Sequence, residues 1–164
     1  MNFLTRASLS PEQWAVLRDA PHLVDLAVSA SGGSPVDSLL ERAAGQAAIA
    51  NGINNDHPLV RAIAAREEIA AAAVAVRALL TERHGTQRAP AELLQLATES
   101  ARQAADVLRT HGSELDRYAY REYVLVVARK VAEAAREGDI LGIGGRLVSD
   151  AERAAINAIA QALA

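Results

Sequence analysis

Acidic residues close to predicted helix starts are the first candidates for chemistry in this chain. Asp37 lies three residues after Ser34, Glu152 lies three residues after Ser149, and Asp139 comes well before this second site. An aspartate in a turn, with a carboxylate three residues into the next helix, could hold a hard divalent cation through oxygen. The same spacing is that of a helix capping box, in which the acid binds backbone and needs no metal. We therefore take Asp37, Asp139 and Glu152 as candidate metal ligands, with helix capping as the alternative for Asp37 and Glu152.

A second candidate is the segment 117–123, which carries three of the five aromatic residues. Arginine interleaved with tyrosine can form a hot spot for protein contact or stack on nucleic-acid bases. At about 100° per residue, Tyr120 and Tyr123 fall near one helix face, and Tyr118 lies away from Tyr120. We expect Tyr120 and Tyr123 to lie at the edge of the core with hydrated hydroxyl groups. The residues that remain as candidates for contact with a protein partner are Arg117, Tyr118 and Arg121.

Sequence patterns typical of catalysis are absent. The chain has no cysteine, no Gly-x-Ser-x-Gly motif and no histidine pair at the spacing of a helical metal site. The glycine-rich segment 138–145 lacks the spacing of a dinucleotide-binding loop and the Lys-Ser or Lys-Thr that ends a phosphate-binding loop. We expect a protein that is not an enzyme and has no cofactor apart from the candidate divalent cation. An enzyme with a pocket between helices is the third hypothesis.

Composition predicts the fold class. The chain has 164 residues, of which 51% are hydrophobic, 37 are alanine and only five are aromatic. Alanine favours helix, and the residues that favour strands are scarce, so we predict an all-α protein. This length suits one domain, residues 1–164, that buries its core without disulfides.

Charge and hydropathy limit the classes of binding partner and the cellular location that we expect. The formal net charge of −3 argues against a dedicated nucleic-acid-binding protein, which needs a basic surface. No uncharged apolar run approaches the roughly 18 residues of a membrane-spanning helix, so we predict no transmembrane segment. The first residues lack the basic and then apolar pattern of a signal peptide, which favours the cytoplasm. The sequence also allows a homo-oligomer.

Capping and breaking residues predict a compact bundle of about six helices. Pro21 lies inside the first predicted helix, where we expect a kink or a break. The uncharged stretch 69–76 inside the third predicts a helix that is buried on every face. The inward face of the second is predicted to contain Val36, Leu40, Ala43, Ala47 and Ala50. The predicted helices cover about residues 11–30, 35–50, 58–83, 90–111, 113–137 and 150–163.

The two ends of the chain resemble each other. Each end has a helix, a turn with paired glycines and a serine-capped helix with an acid three residues after the cap. The paired glycines are Gly32-Gly33 in the first hairpin and Gly144-Gly145 in the second. An internal duplication of a helical hairpin is one interpretation, and chance similarity of two common turns is the other.

These residues carry a resemblance to a known family. The run 131–135, Gly138 and the segments 141–145 and 148–152 resemble the second half of tellurite-resistance protein B-like domains. The front hairpin resembles the first half through its kinked helix at Pro21, its paired-glycine turn and its helix start at 34–37. The similarity therefore includes both ends of the chain, while the middle helices match only in type.

The resemblance implies a compact all-helical bacterial domain with an internal repeat, located in the cytoplasm and associated with the stress response. The family has been proposed to bind metal through acids at its turns and through the glutamates that follow them. Asp37 and Glu152 match those glutamates, whereas Ser31 and Gly144 occupy the positions of the turn aspartates. We expect a non-enzymatic helical domain that works by contact with other proteins, with a divalent-cation-binding module as the alternative.

Overall fold

The computed structural model describes residues 3–32, 35–84, 89–137 and 148–164. The predicted all-α class is confirmed, because this part of the chain is helical and contains no strand. Short 3-10 helices lie at Arg6–Ser8 and Gly52–Asn54. The α-helices of the described residues are α1 Pro11–Ser31, α2 Pro35–Asn51, α3 Pro58–Ile63, α4 Arg66–His84, α5 Pro90–His111, α6 Glu114–Glu137 and α7 Asp150–Ala162.

Side-chain caps begin two of the long helices where the sequence predicts them. At α1 the Ser10 hydroxyl accepts from the backbone N–H of Gln13, and the Gln13 side chain accepts from the N–H of Ser10. Ser149 and Glu152 form the same reciprocal pair at the start of α7. Each pair satisfies donors that the first helical turn leaves without a partner. The predicted glycine-rich connector at 138–145 lies outside the described residues.

Asp116 links the start of α6 to the segments that contain Leu4 and His57. One of its carboxylate oxygens accepts hydrogen bonds from the N–H and the hydroxyl of Ser113, at 2.8 and 2.6 Å. The other accepts from the N–H of Leu4 at 3.2 Å and lies 3.6 Å from the Nε2 atom of His57. Burial alone would raise the pKa of Asp116, but these hydrogen bonds and His57 outweigh it and lower the pKa. The carboxylate therefore has a structural role.

α1 is the central helix of the bundle, since it packs against α2, α4, α5, α6 and α7. It is assigned as one helix through Pro21, where we predicted a kink or a break. Proline has no N–H, so the carbonyl of Leu17 lacks its usual donor four residues on. The Tyr120 hydroxyl on α6 donates to that carbonyl over 2.9 Å. The Tyr120 hydroxyl thus replaces the N–H donor that Pro21 lacks, which makes a proline tolerable inside the central helix.

Tyr123 performs the same task at the end of α2. Its hydroxyl donates to the carbonyl of Ile49 over 3.0 Å, in the last turn of the helix, where carbonyls lack helical donors. Burial raises the pKa of both Tyr120 and Tyr123. The prediction of hydrated hydroxyl groups at the core edge is therefore wrong, because both phenols are buried and bound to helix carbonyls.

The predicted third helix is two helices in the structure. α3 ends at Ile63, and Ala64 leaves helical geometry with φ −83° and ψ 6°. The carbonyl of Ala65 then accepts from the N–H groups of Glu68 and Ile69 at the start of α4. Glu68 is buried and forms salt bridges to two arginines, Arg6 and Arg18. No glycine or proline marks this break, which is why sequence patterns missed it.

The stretch 69–76 is not buried on every face, contrary to the prediction. In α4 the buried residues of this stretch are Ala72 and Val76, whereas Val74 is 72% exposed. A run of alanines is uncharged on all sides whichever side packs, so its composition does not identify a buried helix.

The predicted inward face of α2 is displaced from the observed one. The buried side of the helix carries Glu41, Gly45 and Ile49. A Cβ atom on Gly45 would lie 2.0 Å from Oδ1 of Asp25 on α1 and 2.8 Å from Cγ2 of Val131 on α6. Glycine is therefore needed where the three helices converge. Four of the five residues predicted to face inward are exposed, namely Leu40, Ala43, Ala47 and Ala50. The side chain of the fifth, Val36, is outside the described part of the chain.

Candidate functional site

A groove of about 300 Å³ lies between the C-terminal part of α5, the first turns of α6 and the end of the chain. Its apolar floor is formed by Ala105, Leu108 and Leu163, together with the ring of Tyr120. Its walls carry the polar residues Arg109, Arg117, Tyr118 and Arg121. The structure thus brings together Arg117, Tyr118 and Arg121, the three residues that the sequence suggests for protein contact, and adds Arg109 to them.

Helical spacing and the buried tyrosine explain this arrangement. Arg117 and Arg121 are four residues apart on α6, so their side chains extend from neighbouring turns of one face. Tyr118 is 67% exposed, because Tyr120 occupies the side of the helix that faces α1. Arg109 lies in the last turn of α5, which a two-residue connection joins to α6. Arg109 could not be predicted from the sequence, because only the packing of α5 against α6 brings it to the groove.

The three arginines of the groove differ in how far their charge is already compensated. Arg109 forms a salt bridge with Asp106, three residues earlier on the same exposed surface. Arg117 is 3.9 Å from the carboxylate of Glu114 and donates to a backbone carbonyl at 3.4 Å. Arg121 forms no salt bridge with any described residue, and its Nε atom is buried without a hydrogen-bond partner there. A buried N–H without an acceptor is costly, so this atom indicates a missing acceptor.

The candidate metal ligands are only partly described. Asp139 lies outside the described residues, and so does the side chain of Asp37. Glu152 is buried, and its Oε2 accepts from the N–H of Ser149 at 2.7 Å, whereas Oε1 has no described hydrogen-bond partner. Among the described residues, no three His, Cys, Asp or Glu side chains are grouped so that they could hold a metal ion.

The structure places Glu152 next to a different acid from those the sequence suggests. A Cβ atom on Gly32 would lie 3.2 Å from Oε1 of Glu152 and 2.7 Å from Oε1 of Glu41. The two carboxylates therefore flank the same glycine at the end of α1. Glu41 was missed because it lies a full turn after Asp37 and outside the inward face that we predicted for α2.

Asp25 is a further buried acid, on the face of α1 that meets α2. Its Oδ2 accepts from the side-chain amide of Gln46 at 2.6 Å, and its Oδ1 is 3.5 Å from the hydroxyl of Ser29. Burial raises the pKa of Asp25 to about 6, against the opposing effects of Gln46, Arg42 and Ser29. On the same helix, burial together with the charge of Arg18 lowers the pKa of His22 to about 4.

These two shifts predict opposite pH effects on stability. The folded protein holds the Asp25 proton more tightly than the unfolded chain, so Asp25 lowers stability as the pH rises from about 4 to 6. His22 lowers stability as the pH falls from about 6.5 to 4. We expect Asp25→Asn to raise the free energy of unfolding by about 1–2 kcal/mol at pH 8 and to change it little at pH 4.

Urea denaturation of Asp25→Asn and wild type between pH 4 and 8 measures this difference directly. In the wild type, protonation of Asp25 offsets part of the stability that His22 removes as the pH falls. Asp25→Asn lacks this offset, so its free energy of unfolding should decrease more steeply with falling pH. An Asp25→Asn variant less stable than the wild type at pH 8 would contradict the assignment of a costly buried carboxylate.

No family model, curated protein or solved structure matches this chain. Among the described helices, none is both long enough and apolar enough to cross a membrane.

Proposed function

We propose that this protein is a non-enzymatic interaction domain that binds an acidic segment of another protein in the groove between α5, α6 and the end of the chain. The observation that carries the proposal is the buried Nε of Arg121, which has no described acceptor at the edge of an apolar floor. A carboxylate from a partner would supply that acceptor in a charge-assisted hydrogen bond.

The charge and the apolar surface of the groove indicate which kind of ligand it binds. Three arginines line it, and none of its described lining residues has an acidic side chain, so it favours negative charge. The floor of Leu108, Leu163 and Tyr120 favours an apolar side chain beside that charge. Exposed Leu115, three residues before Tyr118 on α6, adds apolar surface next to the Tyr118 ring, just outside the groove lining. The occupant that fits is a peptide segment with alternating acidic and large apolar residues.

Two other occupants are outcomes of the same test. A second copy of the chain would appear as a dimer in light scattering at the concentration used for binding. A nucleic acid would bind through phosphate with a steep salt dependence and little need for apolar groups, although the chain has a net charge of −3.

The test is a fluorescence-anisotropy titration of the full chain with a labelled peptide of alternating Glu and Leu or Phe. Because its contacts are both ionic and apolar, we expect binding that weakens with salt and also weakens when the apolar residues are replaced by Ser. A Lys-for-Glu peptide and a single-stranded oligonucleotide serve as controls. Equal binding of the acidic peptide and the oligonucleotide, or no binding of the peptide, would contradict the proposal.

The resemblance to tellurite-resistance protein B-like domains forms part of this proposal. It rests on the residues at the two ends of the chain that carry the resemblance, the helix start at 34–37 and the segment 148–152 among them. A role of the interaction domain in a bacterial stress-response system of the cytoplasm follows from it as a proposal.

Binding of a divalent cation is the second candidate function, and one observation favours it. The Oε1 atom of Glu152 is buried without a described hydrogen-bond partner, on the glycine that the Glu41 carboxylate also flanks. Mg²⁺ is typically held by one or two carboxylates and keeps several waters, so it suits this pair better than Ca²⁺ does.

A melting series with Mg²⁺, Ca²⁺, Mn²⁺ and Zn²⁺ tests the cation hypothesis. We expect Mg²⁺ to raise the melting temperature of the wild type with dose and to have less effect on Glu152→Gln. The glutamine can still accept from the N–H of Ser149, so the helix cap is kept while the charge is removed. A flat response of the wild type to all four ions would eliminate this function.

A further inference from the structure

A second cavity, of about 320 Å³, lies between α1, α2 and α4, and it shares no lining residue with the arginine groove. We propose that this cavity binds a small amphipathic carboxylate, that is, a molecule with one carboxylate group and an apolar body. Its volume is within the range of small-molecule sites in proteins. The inference is independent of the docking function proposed for the groove.

His22 supplies the first observation. The side chain is 5% exposed and borders the cavity, and its ring makes no hydrogen bond with the described residues. Burial and the nearby charge of Arg18 lower the pKa of His22 to about 4, so the ring is neutral at pH 7. A neutral imidazole has one N–H donor, and no described residue accepts a hydrogen bond from the His22 ring at the border of the cavity. A ligand oxygen in the cavity would be the acceptor for that donor.

Two arginines give the cavity its charge preference. Arg42 on α2 and Arg77 on α4 line it, are exposed, and form no salt bridge with a described residue. None of the described residues that line the cavity has an acidic side chain. The nearby Asp25 accepts from Gln46, which does line the cavity, and its carboxylate also interacts electrostatically with Arg42. A carboxylate between the two guanidinium groups and the imidazole would therefore meet donors and positive charge.

The aliphatic part of the cavity wall makes a purely inorganic anion a poorer ligand than a carboxylate with an apolar body. Leu26 on α1 and Ala73, Val76 and Leu80 on α4 present aliphatic surface to the cavity. Covering this surface with an apolar body removes it from water, which a phosphate or sulfate ion cannot do. The combination of donors and aliphatic wall fits a short fatty acid or an aromatic acid.

The test is a titration of the full chain with octanoate, followed through the melting temperature and the NMR signals of the His22 ring. We expect a dose-dependent rise of the melting temperature and a change in the His22 signals. The double variant Arg42→Gln, Arg77→Gln should bind octanoate at least fivefold more weakly, because both lost charges lie on the exposed rim. Arg66→Gln, on the same helix as Arg77 but outside the cavity lining, should bind octanoate as the wild type does.

Three results would overturn the proposal. The first is the absence of any octanoate-induced change, and the second is equal affinity of the double variant and the wild type. The third is binding of uncharged octanol as tightly as octanoate, which would show that the cavity does not recognise a carboxylate. A variant with Arg121→Glu distinguishes the two sites: it should lose binding of the acidic peptide and keep binding of octanoate.

Discussion

Replacing Tyr120 with phenylalanine is expected to lower the free energy of unfolding by about 2–3 kcal/mol. The substitution leaves the ring in place and removes only the hydroxyl that donates to the carbonyl of Leu17. That carbonyl lies in the interior of the central helix and faces Pro21, which has no N–H to offer. A buried acceptor without a donor is costly, whereas Tyr118→Phe, on an exposed ring, should change stability by less than about 0.5 kcal/mol. Urea denaturation at one pH measures both variants.

The cause of this loss can be isolated in a double-mutant cycle with Pro21→Ala. An alanine at position 21 restores the N–H that can donate to the Leu17 carbonyl, so Tyr120→Phe should cost less in that background by about 1 kcal/mol or more. The same cost in both backgrounds would show that the hydroxyl does not substitute for the missing N–H of the proline.

Much of the fold could be predicted because its helix boundaries are determined locally. The capping boxes at Ser10 and Ser149 and the proline at the start of α5 begin helices at the predicted places. A cap acts through residues within one turn, so a sequence window contains all the information that it needs.

What could not be predicted depends on tertiary contacts. Alanine packs equally well on any helix face, so the sequence did not indicate which side of α2 is buried. The observed side is determined by Gly45, which allows Asp25 and Val131 to approach the α2 backbone. The break between α3 and α4 likewise has no local signal. It lies close to the buried Glu68, whose partners Arg6 and Arg18 are distant in sequence.

The candidate site was predictable to a similar extent. Arg117 and Arg121 stand four residues apart on one predicted helix, so their common face could be inferred from helical periodicity. Arg109 and the apolar floor come from other helices, and only their packing creates a groove. The cavity beside His22 had no sequence signal, because its wall is assembled from three helices that are distant along the chain.

Reversal of charge at Arg121 is expected to weaken binding of the acidic peptide at least tenfold. The substitution Arg121→Glu removes the buried donor and places a negative charge beside the apolar floor. Truncation of a buried charged contact affects mainly the dissociation rate, so the loss should appear as faster release of the peptide. Arg117→Glu should have a smaller effect, since the Arg117 guanidinium already lies near Glu114 and a backbone carbonyl.

The measurement that tests the central claim most directly is the dissociation constant of the acidic peptide for three proteins at one salt concentration. They are the wild type, Arg121→Glu and Arg66→Glu. The last changes the net charge equally at an exposed residue of α4 that does not line the groove. We expect equal binding by the wild type and Arg66→Glu, and binding at least tenfold weaker by Arg121→Glu. Equal weakening in both variants, or none in Arg121→Glu, would contradict the claim.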